Sequence, residues 1–191
     1  MPPRILVPLI GEPLPLDLVN TRPQPERGVA DTFATVDGLA QWLVAESDRL
    51  PTVRVTDGTR RAVVELRDHV GSAVEAAMVG KRPPAASLDR INEALRRAPS
   101  APQVRWGSGG GAVDTIRSGD HDAQLLAAIA ESAAEYLVSE LALTTRQCEA
   151  PDCETLFSPT HPRRRWCSPT VCGNRTRVAR YYERHRDEFS Q

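Results

Sequence analysis

Residues 146–175 read RQCEAPDCETLFSPTHPRRRWCSPTVCGNR and contain every cysteine of the chain, spaced Cys148-x4-Cys153-x13-Cys167-x4-Cys172. Two close pairs can each present two thiolates from one tight turn, and the loop between them returns the chain to close the site. That is what a tetrahedral zinc ion requires. Pro151-Asp152 and Ser168-Pro169 lie between the paired cysteines and suit turns that bring backbone amides to the sulfurs. The competing reading is a pair of disulfides, which needs an oxidising compartment, and no export signal is visible. One structural Zn2+ on Cys148, Cys153, Cys167 and Cys172 is therefore expected. Four thiolates fill the tetrahedron and leave no open position for a metal-bound water. His161, in a proline-flanked loop, reads as surface rather than as a substitute ligand.

The chain is electrically uneven around this stretch. Residues 1–145 hold 15 basic against 19 acidic side chains, and residues 146–191 hold 9 against 6. Between 161 and 186 there are eight arginines and one acid, Glu183. Such asymmetry is a hint of a segment that faces nucleic acid. Arginine outnumbers lysine 23 to 1, a bias that also follows from a GC-rich genome and weakens the charge argument. Cys172-Gly173-Asn174-Arg175 reads as the point where the last ligand leads into a helix, with Asn174 as candidate cap. From there Arg177, Arg180 and Arg184 recur along one side, and Val178, Tyr182, His185 and Phe189 along another, available to pack on the finger or the main body. The candidate phosphate-facing set is Arg163, Arg164, Arg165, Asn174, Arg175, Arg177, Arg180 and Arg184. Against it stands the plainer reading of a solvated face, with Arg175 bonded to knuckle carbonyls and Trp166 an anchor of a small core.

Arg164-Arg165-Trp166-Cys167-Ser168, then Cys172-Gly173-Asn174-Arg175 and an arginine-rich helix, resembles the CGNR zinc finger. Leu16-Asp17-Leu18-Val19-Asn20-Thr21, ahead of a helical body, is similar to the ABATE domain that usually precedes that finger. The resemblance spans nearly the whole chain. It implies a bacterial, stress-induced transcription regulator, with a DNA-binding finger and an N-terminal domain that senses or binds something. Members often carry an aspartate shortly after the phenylalanine of the first knuckle and a methionine after the Cys-Ser. Here those places read Phe157-Ser158-Pro159 and Ser168-Pro169, so no contact of that aspartate carries over.

The whole chain is 40% hydrophobic and 26% charged, which is globular, and no run approaches the about 18 apolar residues of a membrane span. Prolines at 8, 13 and 15 interrupt the one signal-like stretch, so a cytoplasmic protein is expected. Leu16 and Leu18 alternating with Asp17 predict a short extended segment. Helices are expected over 36–47 (cap Asp37, face Leu39, Trp42 and Leu43), from Asp57 to about Val79 (stripe Val63, Leu66, Val70, Val74 and Met78), from Ser87 (Leu88, Ile91 and Leu95), and from Asp120 to about Leu143. Gln103–Trp106 and Ala112–Ile116 form a hairpin around glycines that match no phosphate-binding loop. Asn20 and Thr21 are candidate ligand-binding residues, against the commoner use of such side chains to hold buried backbone. His69 and His121 have no acid or nucleophile beside them, and no catalytic motif occurs, so no enzyme is expected.

The expected fold is α+β: a mostly helical domain with a small antiparallel sheet over residues 1–144, then a treble-clef-like four-cysteine finger ending in a helix over 145–191. Two functions stay open. One is a transcription regulator whose sensing or dimerising domain is coupled to a finger that contacts DNA, with a small-molecule effector and a second copy as further partners. The other is a ligand-binding or interaction protein whose zinc is only a staple.

Overall fold

The computed structural model describes residues 11–185, so Pro8 and Phe189 lie outside the described residues. Pro13 and Pro15 start a six-residue helix, α1 (Leu14–Val19), where an extended segment was expected. A proline at the first helical positions has its φ already set and loses no hydrogen bond. All six residues are buried, Asp17 among them, so the alternation of leucine with aspartate reports no exposed face. Asp17 is buried because Arg49 reaches it at 2.7 Å (Nη2 to Oδ2) and also binds Glu46 at 2.6 Å (Nε to Oε2).

The body is built on three long helices: α3 (Asp57–Met78), α4 (Ala85–Arg97) and α5 (His121–Leu137). With α1 and α2 (Val36–Ala45) they enclose one core that includes Leu16, Leu18, Phe33, Leu39, Trp42, Val63, Leu66, Val70, Leu125 and Ile129. The caps of α2 and α3 lie two residues and one residue before the expected ones. Thr35, not Asp37, accepts from the Gly38 amide at 3.1 Å. Thr56, not Asp57, caps α3 in a reciprocal box with Thr59, leaving Asp57 to pair with Arg60 and Arg61. Pro84 precedes α4, and Ser87 is buried inside it with Ile91 and Ala94 while Leu88 and Leu95 are only half-buried. Asp120 does cap α5, accepting from Ala123 at 2.8 Å. That helix stops at Leu137, because Ser139 is extended and its hydroxyl donates to the Tyr136 carbonyl at 2.7 Å. A short α6 (Glu140–Thr144) then delivers the chain to the finger.

The hairpin pairs β1 (Ser100–Gly107) with β2 (Gly110–Arg117), placing Val104 opposite Val113 and Trp106 opposite Gly111. It projects from the body, with Trp106 82% exposed.

Arg67, on α3, is buried and forks onto Asp31 at 2.7 and 2.8 Å, beneath the ring of Phe33. Burial alone would raise the Asp31 carboxyl. The Arg67 fork, the Phe33 amide and the nearby Arg60 charge outweigh it and hold the group below the usual carboxylate range. The ionised pair therefore adds stability above the unfolded-state pKa, and this is lost as pH falls through the lower folded value. Asp31→Asn is expected to cost roughly 2–3 kcal/mol near neutrality, a little under a wholly buried pair because water reaches Asp31. Urea midpoints measured from neutral pH down through the carboxylate range check this: the variant's midpoint should decline less steeply than the parent's.

Candidate functional site

The finger starts with β3 (Arg146–Gln147), pairs antiparallel with β4 (Leu156–Phe157), and ends in α7 (Cys172–Arg184). The first knuckle closes where the Cys153 amide donates to the Ala150 carbonyl at 3.2 Å, with Asp152 at φ 61°. Cys148 N to Thr155 O at 2.9 Å closes the base of this knuckle, and Glu149 N to Arg165 O at 3.0 Å joins it to the second half. Around the cysteines sit Ala150, Phe157 and part of Trp166, a core of its own. Gly173 lets the Trp166 ring sit close, since a Cβ at that position would lie 3.1 Å from it and the ring would have to shift.

The four sulfurs are buried and lie within 4.8 Å of one another. Cys153–Cys167, Cys167–Cys172 and Cys172–Cys153 are 3.9, 3.6 and 3.8 Å apart. A zinc–sulfur bond of about 2.3 Å in a regular tetrahedron separates sulfurs by about 3.8 Å, so the cage has the size of one Zn2+. It also has the electrostatics: the Cys167 amide points at Cys148 Sγ at 3.3 Å, and Arg27 of the body reaches Cys153 Sγ at 3.3 Å. The hydrogen bond from Cys167 brings the Cys153 thiol down to about 4, while that same bond and burial push Cys167 up. Cys172 is raised first by burial. One thiolate thus forms readily, and a bound cation would replace the protons held on Cys167 and Cys172. When bound, the zinc supplies cross-linking rather than chemistry, because all four positions are taken by protein.

The finger is seated on the body through the N-terminal segment. The Asn20 carboxamide pairs with the Leu156 backbone as a neighbouring strand would, donating to its carbonyl at 2.9 Å and accepting from its amide at 2.8 Å. Glu12 accepts from the Ser158 amide at 2.7 Å and from Arg164 at 3.0 Å. Gln24 meets the Glu154 amide at 3.4 Å and Thr155 Oγ1 at 3.3 Å. Leu156 packs into the body's core and the adjacent Phe157 into the finger's. Both polar atoms of Asn20 are thus bonded to backbone, the commoner use of such a side chain, and the residue also lines a cavity at the seam. Thr21 donates to Leu18 O at 2.6 Å and accepts from Arg67 at 3.1 Å.

Residues 12–140 match the family model ABATE, described as a "putative stress-induced transcription regulator". The chain belongs to the ABATE family. Its match begins at Glu12, the residue that grips Ser158 and Arg164. The CGNR zinc finger model matches residues 145–185, from the connector after α6 to the end of α7. No curated protein matches the chain. No helix among the described residues is long and apolar enough to cross a membrane.

On the CGNR finger, the arginines that looked alike in sequence divide into two groups. Arg164 bonds Glu12 at 3.0 Å and Cys167 O at 2.6 Å and lies over the Phe157 ring, so it belongs to the seam with the ABATE domain, not to a phosphate-facing surface. Arg175 donates to Pro151 O at 2.6 Å, bracing the first knuckle, and Arg165 pairs with Glu149 at 2.6 Å. Arg163 and Arg180 are exposed with no acid within ion-pair distance among the described residues. Arg177 makes only a long contact to Pro169 O at 3.5 Å, and Arg184 a bond within its own helix at 3.1 Å. Asn174 is exposed inside the first turn of α7 and does not cap it, since the helix begins at Cys172. His161 accepts from the Arg163 amide and takes no part in the cage. The seam residues Glu12, Gln24 and Arg27 carry no local signal, because each partner lies more than a hundred residues away.

Proposed function

We propose that this ABATE protein is a transcription regulator whose CGNR finger contacts DNA through α7, while the seam holds that helix at a set angle to the body. The observation that carries this reading is the exposed flank Arg177, Arg180 and Arg184, none of which is ion-paired among the described residues, while Arg164, Arg165 and Arg175 are spent on the fold. Phosphate contact needs cations available to a ligand, and this flank supplies them on one helix. The role is binding rather than catalysis, consistent with a closed four-thiolate metal site. A thiolate-bound zinc suits a reducing cytoplasm.

A second copy belongs to the reading, since one short finger covers little of a duplex. The apolar hairpin face of Val104, Trp106 and Val113 is a surface on which two chains can meet. An effector role for the body is supported by a cavity of about 280 Å3 at the seam, lined in part by Asn20, Arg22, Gln24, Glu75 and Gln147.

The test is a titration of zinc-loaded protein with labelled duplex DNA at several salt concentrations. Affinity should fall steeply with salt, with two chains per duplex at saturation. Replacing Arg177, Arg180 and Arg184 together by alanine should flatten the log–log slope by about 2.7, at about 0.9 per phosphate contact. An unchanged slope with intact helicity sinks the reading.

A further inference from the structure

The face of α7 that points away from the protein is not basic but aromatic. The helix buries Cys172, Gly173 and Thr176. At about 100° per residue, Asn174, Val178, Tyr181 and His185 fall on the opposite side. Val178 is 44% and Tyr181 47% exposed. The sequence led us to expect Val178, Tyr182 and His185 to pack on the finger or body; instead Val178 and Tyr182 are exposed, and His185 sits at the outer end of the helix. Tyr181 and His185 stack on each other, with ring centroids 4.2 Å apart and planes 26° from parallel. Arg177 and Arg184 run along one border of this stripe, with the exposed Arg180 further round toward the finger.

Resting on the reading that α7 meets nucleic acid, we propose that its outer face prefers an unpaired strand to a duplex, with bases stacking on the Tyr181–His185 pair and phosphates on the bordering arginines. A duplex keeps the faces of its bases stacked on one another and offers a protein only edges and phosphates. An outward aromatic platform therefore has little to engage on intact double helix. An unpaired strand offers both parts of a complement, flat rings for the aromatics and a phosphate chain for the cations, which is how proteins hold single strands. An apolar protein partner would not use the arginine border, so charge complementarity selects the nucleic acid.

The full zinc-loaded chain is titrated by fluorescence anisotropy with three labelled probes of equal length: oligothymidylate, oligouridylate and a mixed-sequence DNA duplex. One or both single strands should bind at least about tenfold tighter than the duplex at the same salt, the scale of a stacked base. Tyr181→Leu, which keeps bulk and helix propensity, should remove about that factor for the single strand and leave duplex affinity unchanged. The stronger of the two single-stranded probes identifies DNA or RNA as the source. Equal or tighter duplex binding, with Tyr181→Leu silent on all three probes, overturns the proposal and leaves the DNA-contact reading standing. Absence of binding to every probe, with helicity and zinc content intact, overturns both.

Discussion

Stripping the zinc with a chelator, or replacing Cys153 by serine, unfolds the finger and lowers the stability of the body as well. The finger's own core is small: besides four cysteines it holds Ala150, Phe157 and part of Trp166. Such a unit cannot offset the entropy of ordering about forty residues by burial alone, so metal binding is its folding free energy, about 10–16 kcal/mol in comparable finger peptides. Loss of the cage frees β4, and with it Leu156 leaves the body's core. Asn20 and Glu12, both buried, are then exposed or left without partners. The body's remaining core spans α1 to α5 and keeps its helices, destabilised by about 3 kcal/mol from one lost leucine and its unpaired polar neighbours. Circular dichroism and thermal melts before and after chelation measure this. A body transition that does not move would mean that finger and body are energetically separate despite the shared β4. Because the ligands must be thiolates, zinc competes with protons, and acidification should release it before the body unfolds.

How much of this was legible in the sequence depends on how far each residue's partner lies along the chain. The zinc cage could be read outright, because its ligands and turns fall within 25 residues and the spacing itself is the signal. The stripe of α3 and most of α5 could be read from periodicity, because one face of a long helix meets one core. α1 could not be read. A six-residue helix buried on every side has no polar face, and the partner that neutralises Asp17 there, Arg49, lies 32 residues on. The arginines show the same limit: Arg164 and Arg177 sit in similarly basic stretches, and what separates them is Glu12, 152 residues from Arg164. Asn20 was singled out by its motif, but its partner is 136 residues away, so the motif could show that a polar group mattered and not that its partner was backbone.

That partner makes Asn20 the most demanding position of the seam. Asn20→Ala is expected to cost about 3 kcal/mol, since it removes two buried hydrogen bonds and strands the amide and carbonyl of Leu156 at once. Asn20→Asp is the sharper variant. It keeps shape and still accepts from the Leu156 amide, but sets a second acceptor against the Leu156 carbonyl in place of a donor. It should therefore destabilise at least as much as alanine at neutral pH, and recover part of the loss on acidification, where a protonated carboxyl donates again. The zinc cage contains no atom of Asn20, so both variants should still bind one zinc while limited proteolysis cuts faster in the connector between Thr144 and Arg146. Thermal melts, zinc content and cleavage rate together separate a broken seam from a broken finger. A melt for Asn20→Ala within about 0.5 kcal/mol of the parent, the scatter of an ordinary surface change, would show that the carboxamide does not hold the two domains together.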